Sequence, residues 1–359
     1  LQGANREYIV HAVDELIELL GTKEDITLEN LFGKFNSGNV KGCIDDIAYY
    51  LGLPINVTIS YVSANNQSSN TADRFESSAL TKAGRNNKEV SGITAQVDIP
   101  SNLPYYGSPE FQNFPIKVKI SGDWKNDPAA FIPIMAHELS HVLLHSLRIS
   151  EKNNEYYVDI TGMILGFSEV IKDARDLITK IDTTQKGNYL YQSVHTSKFG
   201  YLNDDQFDCA INRINEIKQK YISLKSSCKQ ALDECILGII QYTKEIQKFN
   251  SYLIYLDKRS NKKISREDSL KIVSFHQLDY VEGHNGRIAN YEKKEQRIRQ
   301  YAQNITHFTR PNFISLQNCY KEAKALQFAI IQNLNSLNQD VTVLEKYVGF
   351  IHKYRTNRR

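Results

Sequence analysis

The sequence predicts an α+β protein in two parts, a small domain with a short sheet over residues 6–204 and an all-α, coiled-coil-like bundle of long helices over 205–359. At 359 residues the chain is too long for one small domain, and either part is large enough to bury a core. Short β-branched runs bounded by turn residues fall between 55 and 121, whereas from Phe207 onward apolar residues step by three and four. Charge divides the same way. Residues 1–204 hold 18 Lys/Arg against 25 Asp/Glu, and residues 205–359 hold 26 against 16.

Residues 6–20 place Ile9, Val13, Leu16 and Leu20 at helical spacing, and Ile44 to Leu51 repeat the pattern until "GLP" stops it, so two short helices are expected. The runs "INVTISYV" (55–62), "GITAQVDI" (92–99) and "FPIKVKIS" (114–121) predict three strands. The polar stretch from Ser63 to Glu89 reads as a loop much longer than ordinary connections. Asp127-Pro128 is a helix start, with Asp capping and Pro in the first turn, and the helix should run to about Leu147. Pro133 removes one backbone bond inside it and sets an alternative start. A second apolar helix is expected from Glu155 to Asp173, followed by a loop containing "GNYLYQSVHTSKFGYL".

The first long seam passes through Phe207, Ala210, Ile214, Tyr221, Cys228, Cys235, Tyr242, Phe249 and Leu253, more than six heptads. Weaker and stronger seams follow at Val281–Ile305 and Ala323–Ile351, so three helices with breaks at 257–268 and 308–313 should form an antiparallel bundle.

No run of about 18 apolar residues exists, and the first residues lack a charged-then-apolar signal, so a soluble, cytoplasmic protein without membrane contact is expected. "LQGAN" reads as a trimmed or appended end. Five cysteines without a CxxC pair speak against a disulfide framework and a thiolate zinc site.

Three of nine histidines fall within nine positions of "FIPIMAHELSHVLLHS" (131–146). On a helix His137 and His141 stand one turn apart, about 6 Å along the axis, and can reach one ion. Glu138 is rotated about 100° from His137, near the ion and suited to act as general base on a water. Two imidazoles and one carboxylate suit Zn2+ with a fourth position open. His145 would lie about 12 Å from His137 on a straight helix, too far to share the ion, and is expected behind the ligands. Glu155, 14 residues after His141, is the better third ligand. Asp159, one turn further, would accept the spare N–H of an imidazole, His137 by preference.

"HELSH" followed by "NEYYVD" resembles the gluzincin pattern of zinc metallopeptidases. More narrowly, "IAYYLGLPINV", "FIPIMAHELSHVLLH" and a Glu with an acidic residue four places on resemble the ImmA/IrrE-like metallopeptidases. "EYYVDITGMILGF…FGYL" resembles a group of bacterial HExxH proteins. The resemblance covers roughly residues 40–215 and not the bundle. It implies a zincin-like domain with His137, His141 and Glu155 as zinc ligands and Glu138 as catalytic base. Ser140 departs from the frequent Gly, and Tyr156-Tyr157-Val158 from the usual small residues. For stabilising an oxyanion, His195 and Tyr201 are the candidates, Tyr201 ranking first on the "GYL" resemblance alone.

The expected function is a zinc-dependent metallopeptidase performing limited proteolysis of a cytoplasmic protein, and the resemblance implies a target of the regulatory kind. The bundle would recruit that substrate or a regulatory protein. Its basic surplus, with "DKRSNKK" and "HKYRTNRR", also fits nucleic acid or, more plainly, a solvated helix face. The alternative is a non-catalytic zinc-binding scaffold whose long helices mediate docking or homo-oligomer formation.

Overall fold

A computed structural model describes residues 5–62, 74–83, 88–122, 125–176, 179–186, 189–198, 200–258, 280–305 and 309–356. Side chains of 63–94 and 176–199 lie outside that description. The chain is α+β, mostly helical, with one mixed sheet of short strands and a helical C-terminal region. No helix among the described residues is long and apolar enough to cross a membrane.

Three helices open the chain: α1 (Arg6–Leu20), α2 (Leu28–Asn36) and α3 (Val40–Tyr50). The sequence reading lacks α2, whose nine residues include Gly33, a poor helix former that masks the signal. Asn5 and Asn39 cap α1 and α3 by accepting from the amides of Tyr8 (2.8 Å) and Gly42 (3.0 Å).

The strands are β1 (Asn56–Val62), β2 (Arg74–Ala83), β3 (Lys88–Asp98), β4 (Pro115–Ser121), β5 (Thr179–Lys186) and β6 (Tyr189–Lys198). Their order is β1-β4-β3-β2-β6-β5, with β1 and β4 parallel and the remaining pairs antiparallel. Two expectations are corrected here. The stretch expected as a loop contains β2, and the segment expected as a loop before "FGYL" is largely the hairpin of β5 and β6. Both carry few apolar residues, so the alternation that marks a half-buried strand is missing, and backbone pairing supplies the order instead.

Helix α4 (Pro128–Ser146) is buried on every side from Ala130 to Ser146. Asp127 caps it, accepting from the amides of Ala129 (3.1 Å) and Ala130 (3.3 Å), and the helix continues through Pro133. It packs against β3 and against α2, α3, α5 (Glu155–Gly162) and α6 (Ser168–Asp176). The single helix expected over 155–173 is interrupted by a π turn at Met163–Phe167, where Gly166 has φ 105°. Carbonyls freed there are met by the segment after α1: Lys23 N–H donates to Ile164 O and Ile26 N–H to Gly166 O, both at 2.9 Å.

Helix α7 runs over Asp204–Asp257, α8 over Tyr280–Asn304 and α9 over Arg310–Thr356. Asn203 and Gln206 form a reciprocal cap at the start of α7, at 2.8 and 2.9 Å. The chain divides into two compact units, Leu1–Lys218 with His307–Arg310, and Gln219–Thr306 with Pro311–Arg359. The boundary thus falls at 218 rather than 204. Phe207, Ala210 and Ile214 are buried in the core of the first unit, and Arg213 and Lys218 pair there with Asp14 and Asp25.

Within the second unit α7 and α8 run antiparallel, since Tyr221 meets Ile305 while Tyr242 meets His284. By contrast α7 and α9 run parallel, Cys235 beside Ala323 and Tyr252 beside Glu345. The interior holds the seam residues Cys228, Cys235, Ile239, Tyr242, Ile246 and Phe249. All five cysteines are buried free thiols. His284 is also buried, hydrogen-bonded to Tyr242, and Tyr280 reaches Asp340.

Candidate metal centre

The site is assembled on α4 and α5. An i, i+4 spacing on α4 puts His137 and His141 on one face, with ring centroids 5.1 Å apart at 81°. Asn154 caps α5, accepting from the amide of Tyr156 at 3.1 Å, so Glu155 occupies the first helical position facing both rings. His137 Nε2 lies 3.2 Å and His141 Nε2 3.3 Å from Glu155 Oε2. These three residues form the one potential metal-binding group among the described residues, their ligand atoms all within 4.8 Å. His145 is buried on the same helix and is not in the group.

That donor set fits zinc. Ligand bonds of about 2.0–2.1 Å in a tetrahedron put neighbouring donor atoms about 3.3 Å apart, close to both distances to Glu155. His141 is nearly inaccessible, and the Glu155 side chain keeps 27% exposure although its Oε2 is itself buried.

Asp159, one turn along α5, is buried and hydrogen-bonded through Oδ1 to His137 Nδ1 at 2.8 Å. Its other oxygen, Oδ2, accepts from the backbone amides of Tyr201 (2.6 Å) and Leu202 (3.2 Å). Those two donors were not foreseen from the sequence. Gly200, immediately before them with φ 86°, is the signal that marks such a turn.

Burial alone would depress His137, but hydrogen bonds to Asp159 and Glu155 and the nearby charge of Glu138 outweigh it and raise the imidazole to about 10. Glu155 moves the other way. Burial would raise it, yet hydrogen bonds from His137 and His141 hold it at about 2.

Glu138 is fully buried next to His137 on α4. The Tyr201 ring stacks on His137, with centroids 5.7 Å apart and planes at 24°, and is 36% exposed. His195 sits on β6 opposite Lys180, and its side chain lies outside the described residues. The bulky residues on α5 pack toward α1: Tyr157 donates to Glu15 at 2.6 Å, and Tyr156 meets Tyr8 edge-on at 6.4 Å. Ser140 donates to Ala136 O at 2.7 Å, so its hydroxyl is satisfied within α4.

No protein-family model matches this chain, and neither a curated protein nor a solved structure does.

Proposed function

We propose that the first unit is a zincin-like, zinc-dependent metallopeptidase domain that cuts a protein substrate at limited sites, with the helical unit recruiting the substrate or a regulatory partner. One observation carries this reading: His137, His141 and Glu155 converge at zinc-like spacing while Asp159 holds the far nitrogen of His137. Zinc held there would supply a Lewis acid that polarises a peptide carbonyl and eases loss of a proton from water.

The remaining work falls to the chain. His137 and His141 present Nε2, and Glu155 presents its buried Oε2 toward both rings. Glu138, buried beside His137, takes the proton of the attacking water and passes it to the leaving amine. Tyr201, stacked on His137 and partly exposed, is the candidate to steady the developing oxyanion, with His195 as the second.

The scaffold reading separates on the same geometry. A structural zinc site closes its fourth position with a protein ligand. Among the described residues three come together and His145 is not in the group, so a water in the fourth position of the zinc-loaded protein would favour the enzyme and a protein ligand there the scaffold.

Glu138→Gln tests the proposal. The variant should keep one zinc per chain by elemental analysis while losing at least about 100-fold in cleavage rate, the scale of general acid–base catalysis. Mapping protein termini in cells that express either form should reveal sites cut only by the unaltered chain. Identical termini in both would leave the scaffold.

A further inference from the structure

Asp159 does two things at once. Oδ1 meets His137 Nδ1 at 2.8 Å, while Oδ2 is gripped by the amides of Tyr201 and Leu202, more than forty residues away in sequence. The chain turns into that grip at Gly200, whose φ of 86° disfavours any L side chain. A Cβ at this position would come 3.1 Å from Asp159 Oδ2. Leu202 is buried, the Tyr201 ring covers His137, and the cap of α7 begins at the next residue.

We propose that Gly200-Tyr201-Leu202 is a positioning clasp for the metal centre, coupled to ion binding in both directions. The inference rests on the reading of His137, His141 and Glu155 as a zinc site. With two backbone donors on Oδ2 the carboxylate plane is fixed, and Oδ1 must face His137 Nδ1. When zinc takes the place of the proton on Nε2, the remaining proton sits on Nδ1 toward Asp159 and the ring is already oriented with Nε2 toward the ion. Linkage makes the effect reciprocal. Whatever factor the clasp adds to zinc affinity, zinc adds to the stability of the clasp, and with it to the start of α7.

The test uses the full chain, purified without metal and titrated with zinc against a competing chelator. The unaltered chain should bind zinc, and Gly200→Val should raise the dissociation constant about 10- to 100-fold, the range for loss of an outer partner of a metal ligand. Gly200→Asn, which tolerates a left-handed backbone, should recover part of that loss. Gly238→Val, which disturbs only the second unit, should leave the constant unchanged.

A second arm needs no variant: zinc should slow amide exchange at Tyr201 and Leu202 by at least about tenfold, as reciprocal coupling requires. A folded Gly200→Val chain with unchanged zinc affinity overturns the clasp while leaving the zinc site standing. Equal exchange with and without zinc does the same, and decides alone where Gly200→Val fails to fold. An unaltered chain that binds no zinc overturns the site and the clasp together.

Discussion

His137 and Glu155 are shifted in opposite directions by their contact, and each shift ties stability to pH. The imidazole is raised from 6.5 to about 10, so its contribution is complete below about pH 6.5 and is lost as pH rises through 10. Glu155 is lowered from 4.5 to about 2, so its contribution is present above about pH 4.5 and is lost as pH falls through 2. Both operate between pH 4.5 and 6.5. Thermal melts in chelator should therefore show these contributions at full strength in that window, declining toward either extreme; a melting temperature still climbing from pH 7 to 9 would contradict the shift at His137. Gly166 is the second residue with a measurable burden. Its φ is 105°, and a Cβ there would stand 2.6 Å from the Glu24 carbonyl. Gly166→Ala should cost about 2–4 kcal/mol through backbone strain and a forced shift, read from the urea midpoint at unchanged slope.

Two long helices approach closely where α7 offers no side chain. A Cβ on Gly238 would meet Ile330 Cγ2 at 2.9 Å, so Gly238→Val should push α7 from α9 and cost about 1–3 kcal/mol in the second unit. Circular dichroism during urea unfolding would register the loss; an unshifted transition would mean the contact is slack. Such helices are what sequence reveals best, because the heptad repeat and the burial of Cys235, Tyr242 and Phe249 are the same fact seen twice. The HExxH helix is readable for a similar reason, since spacing along a helix fixes which side chains share a face. Strands β2, β5 and β6 were hidden because no clear apolar alternation marks them, although β2 with β3 and β5 with β6 pair as neighbours along the chain. The π turn was hidden too. Its freed carbonyls are satisfied by residues 22–26, a tertiary compensation that no local pattern encodes.

At the scale of the molecule, the candidate ligands were legible before the fold was. His137, Glu138 and His141 are local in sequence, and Glu155 and Asp159 follow at a distance that one turn and one helix reversal dictate. What holds them was less legible, because the clasp on Asp159 consists of backbone amides that every residue type possesses. The position of the unit boundary escaped notice for another reason. The heptad seam of α7 looks uniform from Phe207 onward, yet its first turns are buried against α1 and its neighbours rather than in the bundle. This has a practical side for dissecting the molecule. A fragment ending at residue 204 would lose Phe207, Ala210 and Ile214 from its core together with the Arg213–Asp14 and Lys218–Asp25 pairs. The shortest piece with a chance of independent folding therefore has to carry a stub of helix through Lys218, and a protease that nicks α7 upstream of that point would be cutting the first unit, not freeing it.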